Sequence, residues 1–168
     1  MQTEPNIESR PEQPYVGIRK IMPMKDFEIE IPVLIERVSS WLRANSLISF
    51  GKPFLRYHVI DMPERMDVEV GMTTAKPVPD SRLVHAPVNS NLLPAGRYAV
   101  MIYRGVSNGV AANKKLMQWV VDHDAEVVSH DSENGEVFKC RYETFVTDAS
   151  TEPDKEKWDT QIAMKLRD

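Results

Sequence analysis

The chain contains two copies of one short pattern, and this duplication constrains its fold more than any other feature of the sequence. In each copy a tyrosine-led apolar segment precedes an amphipathic segment that ends near a tryptophan, Trp41 in the first and Trp119 in the second. Two further apolar segments follow in each copy, in the same order and separated by loops of different length. The pattern predicts two strand–helix–strand–strand units, repeat one at about 15–74 and repeat two at about 93–168.

The end of the chain has the clearest hairpin pattern. Residues 139–147 and 158–166 are rich in aromatic and β-branched side chains, and the segment between them is charged and turn-prone. The corresponding arms of the first copy are residues 54–61 and 66–72, which we expect to be joined by a turn at residues 62–65.

The two hairpins predict which residues are structural mates. Arg-Tyr-His in the first hairpin recurs as Arg-Tyr-Glu in the second, so we expect Tyr57 to superpose on Tyr142 and His58 on Glu143. Glu69, on the second arm of the first hairpin, is expected at the surface or at a strand edge.

Two helices are predicted from the spacing of apolar side chains. Pro32 fits the first turn of the first helix, where its missing N–H costs nothing. The apolar face of this helix consists of Leu34, Val38, Trp41 and Leu42. The second helix is expected to be capped by Ser107 or Asn108 and to end near Asp122. Its buried stripe is expected to consist of Val110, Leu116, Met117 and Val120, with Asn113 or Lys114 at the rim.

Length and composition favour a single intracellular domain. A chain of 168 residues is large enough for one core, expected over 15–168, with 1–14 as a flexible N-terminal arm too short for a helix-turn-helix. The net charge of −4 gives no electrostatic reason to bind nucleic acid. The single cysteine, Cys140, fits a reducing cytoplasm, and no apolar run is long enough to cross a membrane.

Several motifs, taken together, carry a resemblance. They are Leu93-Pro94-Ala95-Gly96-Arg97-Tyr98, Tyr103-Arg104-Gly105, Trp119, Tyr142-Glu143-Thr144-Phe145 and Trp158-Asp159-Thr160-Gln161-Ile162, with Arg56-Tyr57-His58 and Met66-Asp67-Val68-Glu69-Val70-Gly71 in the first half. In this order they resemble the GyrI-like small-molecule-binding family, which includes the effector-binding domain of bacterial multidrug-sensing transcription activators. The resemblance covers about residues 15–166. It implies an α+β fold in which duplicated units form a curved antiparallel sheet, with two helices on one side and a central ligand pocket.

The resemblance also implies a binding site. The family places a glutamate on the penultimate strand at the pocket floor, and the matching residue is Glu143. The expected aromatic walls are Tyr57, Tyr98, Tyr103, Tyr142, Phe145 and Trp158. Burial among rings makes a carboxylate harder to ionise, and a bound organic cation reverses this effect by charge attraction and cation–π contact. Strand alternation alone favours a different interpretation, because it puts Tyr142 and Glu143 on opposite faces of the sheet.

This sequence departs from the family pattern at three points. Gln161 stands where the family often has a second glutamate, Tyr103 where it often has histidine, and Asp148-Ala149 where it usually has Asp-Pro. The loss of a second acid predicts a weaker preference for cations.

Three function classes remain open. The first is a stand-alone protein that captures hydrophobic or cationic small molecules, without nucleic acid, membrane, cofactor or metal. The second is a hydrolase of strained electrophilic molecules, in which Glu143 acts with Tyr103 or His58 as catalytic residues. The third is a gyrase-inhibitor-like interaction protein with a protein partner. The four histidines do not form a metal-binding spacing.

Overall fold

The computed structural model describes residues 2–61 and 64–168, which form ten strands and three α-helices. The strands are β1 (Asn6–Arg10), β2 (Gln13–Met22), β3 (Phe54–Asp61), β4 (Arg65–Thr73), β5 (Asn89–Leu93), β6 (Gly96–Arg104), β7 (Ser129–Ser132), β8 (Gly135–Phe138), β9 (Arg141–Phe145) and β10 (Asp159–Lys165). The helices are α1 (Phe27–Ala44), α2 (Asp80–Leu83) and α3 (Gly109–Asp122). The turn expected at residues 62–65 begins outside the described residues.

The strands form one antiparallel sheet. Its main path runs β1-β6-β10-β9-β3-β4-β2-β5, and the β7–β8 hairpin joins it where β8 pairs with β3. The two repeats meet where β9 pairs with β3, and the sheet curls into a half-barrel. Helix α1 packs on β2 and β4, and α3 packs on β6. This is the α+β architecture that the resemblance implies, built from the two predicted strand–helix–strand–strand units.

Helices α1 and α3 are built alike. The backbone N–H of Asn45 donates to the carbonyl of Trp41, and that of His123 donates to the carbonyl of Trp119, each at 3.1 Å. The residue after each of these caps has a left-handed backbone. The buried side chains recur at the same positions, Leu34, Val38 and Leu42 in α1 and Ala112, Leu116 and Val120 in α3. Trp41 and Trp119 are therefore equivalent, as predicted.

The strand ladders correct the predicted alignment of the hairpins. Phe54 pairs with Gly71 in the first half, and Tyr142 pairs with Ala163 in the second. Gly71 and Ala163 are equivalent in their pairing with β2 and β6, so Phe54 is the mate of Tyr142. The predicted superposition of Tyr57 on Tyr142 is wrong by three positions. An odd shift of register moves a side chain to the other face of the sheet.

His58 is, for the same reason, not the mate of Glu143. That mate is Leu55, which is also the residue opposite Glu143 in the β3–β9 pairing. The pseudo-twofold axis between the repeats therefore passes through this pair. Strand β3 has an irregular register between Tyr57 and Val59, which a match of three sequence letters does not reveal.

The first helix begins earlier than expected. It starts at Phe27, so Pro32 lies inside the helix rather than in its first turn. Proline there removes one backbone hydrogen bond. Phe27 and Ile31 pack against the cluster beneath α1, and this burial outweighs the missing bond.

The N-terminal segment also differs from the expectation of a flexible arm. Asn6–Arg10 form β1, which pairs with β6, and β2 begins at Gln13. The pairing gives β6 a second neighbour, so its backbone groups are not left at the sheet edge. Residues 75–92, between the two predicted repeats, contain α2 and most of β5.

The sheet divides the buried side chains of the described residues into three clusters. Helix α1 covers one that includes Val38 and Val68, and α3 covers another that includes Leu116 and Ile162. The third, on the opposite face of the sheet, consists of Tyr15, Phe54, Leu93, Tyr98, Val100, Cys140, Tyr142 and Ala163. No helix within the described ranges is long and apolar enough to span a bilayer.

Candidate ligand-binding site

Glu143 lies on β9, on the face of the sheet that the helices cover, and is only 7% exposed. The Tyr57 hydroxyl donates to its Oε2 at 2.9 Å, and Asn113 Nδ2 donates to its Oε1 at 2.9 Å. Both donors are neutral, so they replace water around the carboxylate without cancelling its charge.

Arg141 brings a positive charge to the same face. Its Nη2 donates to Oδ1 of Asn113 at 2.8 Å, so one amide joins the arginine to the glutamate. The guanidinium lies 4.8 Å from the ring centre of Phe138 and 5.7 Å from that of Tyr57. Burial lowers the pKa of Arg141, against the opposing effect of the neighbouring tyrosine and glutamate. Its Nε is buried and has no hydrogen-bond partner among the described residues.

Two tyrosines on this side are held in their neutral form. Burial, together with the charge of Glu143, raises the pKa of Tyr57 well above its usual value. Burial and the same charge also raise the pKa of Tyr103. Both hydroxyls are therefore protonated and able to donate at neutral pH.

Four of the residues expected at the site lie on this helix-covered side. They are Glu143, Tyr57, Tyr103 and Phe145. Phe145 is partly buried against the α1 cluster, and the ring of Phe27 lies 6.4 Å from that of Tyr57. Tyr103 belongs to the cluster beneath α3, and its hydroxyl lies close to Gly109 at the start of that helix.

Tyr98 and Tyr142 lie on the other face. Their ring centres are 6.0 Å apart, and the Tyr142 ring lies 5.5 Å from that of Phe54. The Tyr142 hydroxyl accepts from Arg10 at 2.6 Å, and the Tyr98 hydroxyl donates to the carbonyl of Pro94 at 2.6 Å. Because neighbouring side chains of a strand alternate, the aromatic walls expected around one pocket are divided between two faces.

The loop between β9 and β10 joins the beginnings of the two long helices. Lys155 contacts Glu28 in the first turn of α1, and the Ser107 hydroxyl donates to Glu156 at 2.5 Å just before α3. Trp158, at the end of this loop, donates its indole N–H to a carbonyl within the loop at 2.7 Å. Trp158 is thereby tied to the loop.

His58 contacts Glu69, and both lie in a buried network away from Glu143. His58 Nε2 is 2.8 Å from Oε1 of Glu69, and the Tyr15 hydroxyl donates to the same oxygen at 2.5 Å. Arg56 Nη1 donates to the Tyr15 hydroxyl at 3.0 Å. The expectation that Glu69 lies at the surface is wrong, since it is 2% exposed. Its hydrogen bonds make this burial tolerable.

Sequence reasoning did not assign Arg10, Asn113 or Arg141 to a site. Arg10 was placed in a flexible arm, and its role depends on the position of β1. Asn113 could have been found from the sequence more readily than Arg10, because it is a polar residue next to the buried stripe of α3. Arg141 was correctly placed on the same face of its strand as Glu143.

Two cavities of about 400 and 390 Å³ lie away from Glu143. The larger is beside α2, lined by residues 46–50 and 74–82, and the smaller opens on the face opposite the helices. No three His, Cys, Asp or Glu side chains in the described part of the chain are arranged to hold a metal ion.

Residues 3–164 match the family described as the GyrI-like small molecule binding domain, and this chain belongs to that family. A search among curated proteins found no match.

Solved structures share the fold. The C-terminal domain of EcmrR is 21% identical, with a TM-score of 0.78 and coverage of 98% of this chain and 97% of that one. In the EcmrR–DNA complex, at 20% identity and a TM-score of 0.79, the match covers 98% of this chain but only 57% of the EcmrR chain. SAV2435 bound to tetraphenylphosphonium is 13% identical, with a TM-score of 0.59 and coverage of 98% and 94%. A hydrolase from Listeria innocua is 11% identical, with a TM-score of 0.68 and coverage of 98% and 92%.

Proposed function

We propose that this domain binds hydrophobic or cationic organic molecules on the helix-covered side of the sheet, with Glu143 as the anionic floor of the pocket. The observation that carries the proposal is the environment of Glu143, a carboxylate that is 7% exposed and held by two neutral donors. A buried charge is costly unless it is paired; Glu143 forms no direct salt bridge among the described residues, and an organic cation supplies one. Tetraphenylphosphonium, bound by the relative SAV2435, is such a cation.

The rings on this side favour the same class of ligand. Tyr57, Tyr103 and Phe145 provide aromatic surface between α1 and α3. A cation over a desolvated ring face gains about 2 kcal/mol. The ligand reaches the carboxylate by displacing the hydroxyl of Tyr57 or the amide of Asn113, and charge pairing offsets the hydrogen bond that is lost.

Arg141 limits how strongly cations are preferred. With Glu143 it forms a pair of opposite charges joined through Asn113, so the side chains at the pocket floor carry no net charge. Neutral hydrophobic ligands therefore also belong to the proposed range. Gln161 has no part in this balance, since its side chain accepts from Arg10 on the opposite face.

The test compares a cation with a neutral molecule of similar shape. Tetraphenylphosphonium and triphenylphosphine oxide are titrated into the native protein and into Glu143→Gln. We expect the variant to lose about tenfold or more in affinity for the cation, roughly 1.4 kcal/mol, and to keep its affinity for the neutral ligand. Glu126→Gln, which removes an exposed acid paired with Arg167, is the matched control and is expected to bind both normally. Equal loss of both ligands in Glu143→Gln indicates damage to the pocket, and failure of the native protein to bind either contradicts the proposal.

Hydrolysis of a strained electrophile is the second candidate, and the proximity of Tyr103 to Glu143 favours it. The Tyr103 hydroxyl lies beside Gly109, whose carbonyl accepts from the same Asn113 amide that donates to Glu143, so an acid and a phenol share one environment. His58 is excluded as a catalytic residue for this reaction, because it contacts Glu69 on the other face of the sheet. Incubation with a panel of epoxides tests it. If the protein completes many turnovers, and both Glu143→Gln and Tyr103→Phe abolish them, it is an enzyme. If it captures the epoxide stoichiometrically without forming product, it is a binding protein.

A further inference from the structure

The cavity of about 390 Å³ on the face opposite the helices is separate from the Glu143 site. Its lining includes Phe54, Tyr98, Tyr142, Arg10, Lys52 and Gln161. Tyr142 and Glu143 are neighbours in β9 and project to opposite faces of the sheet. A ligand in this cavity therefore contacts different side chains from a ligand at Glu143.

Four hydrogen bonds hold the guanidinium of Arg10 in place in this cavity. Its Nη1 donates to the Tyr142 hydroxyl at 2.6 Å, and its Nη2 donates to Gln161 at 2.9 Å and to Glu8 at 2.8 Å. Its Nε also donates to Glu8, at 3.2 Å. A guanidinium has five N–H groups, so one on Nη1 remains without an acceptor among the described residues. The head group is thus held in place with a donor available to a ligand.

The charges around this cavity favour an anion. The lining contains two cations, Arg10 and Lys52, and one acid, Glu8, which Arg10 already pairs. Behind the rings lies Lys165, only 6% exposed, with its Nζ 5.9 Å from the ring centre of Tyr98. Its ammonium donates to the backbone carbonyl of Leu166 at 3.3 Å. Local positive charge raises the affinity for anionic ligands.

The aromatic side chains of this cavity indicate the shape of the apolar part of the ligand. Phe54 and Tyr142 lie edge to face, and both line the cavity beside Arg10. Arg10 also lies within 6 Å of the ring centres of Tyr98 and Tyr142, at 5.7 and 5.8 Å. An aromatic surface next to a fixed guanidinium fits a flat apolar molecule that ends in a carboxylate.

We propose that this cavity is a second ligand site, which takes a small aromatic carboxylate. The ring of the ligand packs against Tyr142 and Phe54, and its carboxylate accepts from Arg10 and from the exposed Lys52 at the mouth. The chain then has an anion site and a pocket for hydrophobic or cationic ligands on opposite faces of one sheet. The anion site does not depend on the function proposed for Glu143.

The test uses 2-naphthoate and its neutral counterpart 2-naphthamide, each titrated into the native protein by calorimetry. We expect naphthoate to bind at least tenfold more tightly than naphthamide, because only the carboxylate pairs with the two cations. Lys52→Glu is expected to weaken naphthoate at least tenfold, and Lys25→Glu, the same charge change at an exposed residue before α1, less than twofold. Glu143→Gln is expected to leave naphthoate binding unchanged, which separates this site from the other one.

Arg10→Gln completes the design, with circular dichroism as the check that β1 remains folded. It is expected to abolish the preference for naphthoate over naphthamide. Lys52 is exposed, so its variant decides the matter if Arg10→Gln unfolds. Equal affinity of the native protein for the two ligands overturns the proposal. An unchanged affinity for naphthoate in Lys52→Glu, or competition between naphthoate and tetraphenylphosphonium for one site, overturns it as well.

Discussion

Leu55 and Glu143 face each other across the pairing of β3 with β9, and each is the structural mate of the other. The axis that relates the two repeats therefore runs between an apolar side chain and an acid. Both are buried, at 1% and 7% exposure. The duplicated fold thus has a single acid at its centre, and the surroundings of that acid need not be symmetric.

Exchanging these two side chains tests that asymmetry. In the double variant Leu55→Glu/Glu143→Leu, the acid faces the mates of its present donors, which are Phe145 and Ile35. Neither can donate a hydrogen bond, so we expect the free energy of unfolding to fall by about 3–5 kcal/mol. Urea denaturation followed by circular dichroism measures it. The single change Leu55→Met, which keeps the volume, is the control and is expected to cost less than about 1.5 kcal/mol. Native stability in the double variant would contradict the role of the Tyr57 and Asn113 hydrogen bonds in stabilising the buried acid.

Asn113 holds the charged pair of the site together. Its amide donates to Glu143 and accepts from Arg141, so Asn113→Ala leaves one buried group on each without a partner. We expect the free energy of unfolding to fall by about 1–3 kcal/mol. Gln118→Ala, on the exposed side of the same helix, removes a bond to Asp122 and is expected to change it by about 0.5 kcal/mol at most. Equal effects of the two substitutions in urea denaturation contradict a buried role for Asn113.

Arg141 is expected to determine how strongly the pocket prefers cationic over neutral ligands, and to have little effect on the affinity for neutral ligands. Arg141→Met removes the positive charge near Glu143 and keeps most of the side-chain volume. We expect the affinity for tetraphenylphosphonium to rise at least threefold, about 0.7 kcal/mol, while triphenylphosphine oxide binds as before. The free energy of unfolding is expected to fall by about 1–3 kcal/mol, because Asn113 loses the hydrogen bond from Arg141 and the buried Glu143 loses the positive charge beside it. Arg19→Met, which removes an exposed charge paired with Asp67, is the control for net charge. A fall in affinity for the cation in Arg141→Met contradicts this role.

The helical spacing of apolar residues predicted the two long helices, and the repeated sequence pattern predicted the duplication. Neither predicted the register of the hairpins. Leu34, Val38 and Leu42 recur at helical spacing, and this local pattern alone determines which face of α1 is buried. The position of Tyr57 opposite Val68 depends on contacts across the β3–β4 hairpin, whose register is irregular between Tyr57 and Val59. Two similar tripeptides carried no information about those contacts, and the resulting error of three positions turned Tyr57 to the wrong face.

The grouping of the aromatic residues was wrong for a related reason. The resemblance correctly led to the family, and its assignment of Glu143 to the pocket floor stays a prediction, but it grouped the aromatic residues as if they shared one pocket. Strand alternation already separated Tyr142 from Glu143, and the structure follows alternation. Asn113 and Arg10 required the tertiary structure, because one comes from a helix and the other from a strand at the far end of the chain.

The buried tyrosines predict how the protein responds to alkaline pH. Burial is the largest cause that raises the pKa of every tyrosine in the chain: Tyr15, Tyr57, Tyr98, Tyr103 and Tyr142. In the unfolded chain each ionises near pH 10. A folded pKa above the unfolded value stabilises the protein fully below the unfolded pKa, and this stabilisation is lost as the pH rises above it.

We therefore expect the free energy of unfolding to fall steeply above about pH 10, by up to roughly 1.4 kcal/mol per pH unit for each tyrosine that ionises only in the unfolded chain. Tyrosinate absorbance in the near ultraviolet and circular dichroism are followed in the same titration. Because the folded protein keeps its hydroxyls protonated, the two signals are expected to change together, at the pH of unfolding. In Tyr57→Phe one such proton is absent, so the dependence of stability on pH is expected to be shallower even though the hydrogen bond to Glu143 is lost. Tyrosinate that forms in several steps while the circular dichroism remains native would show that these hydroxyls ionise within the fold.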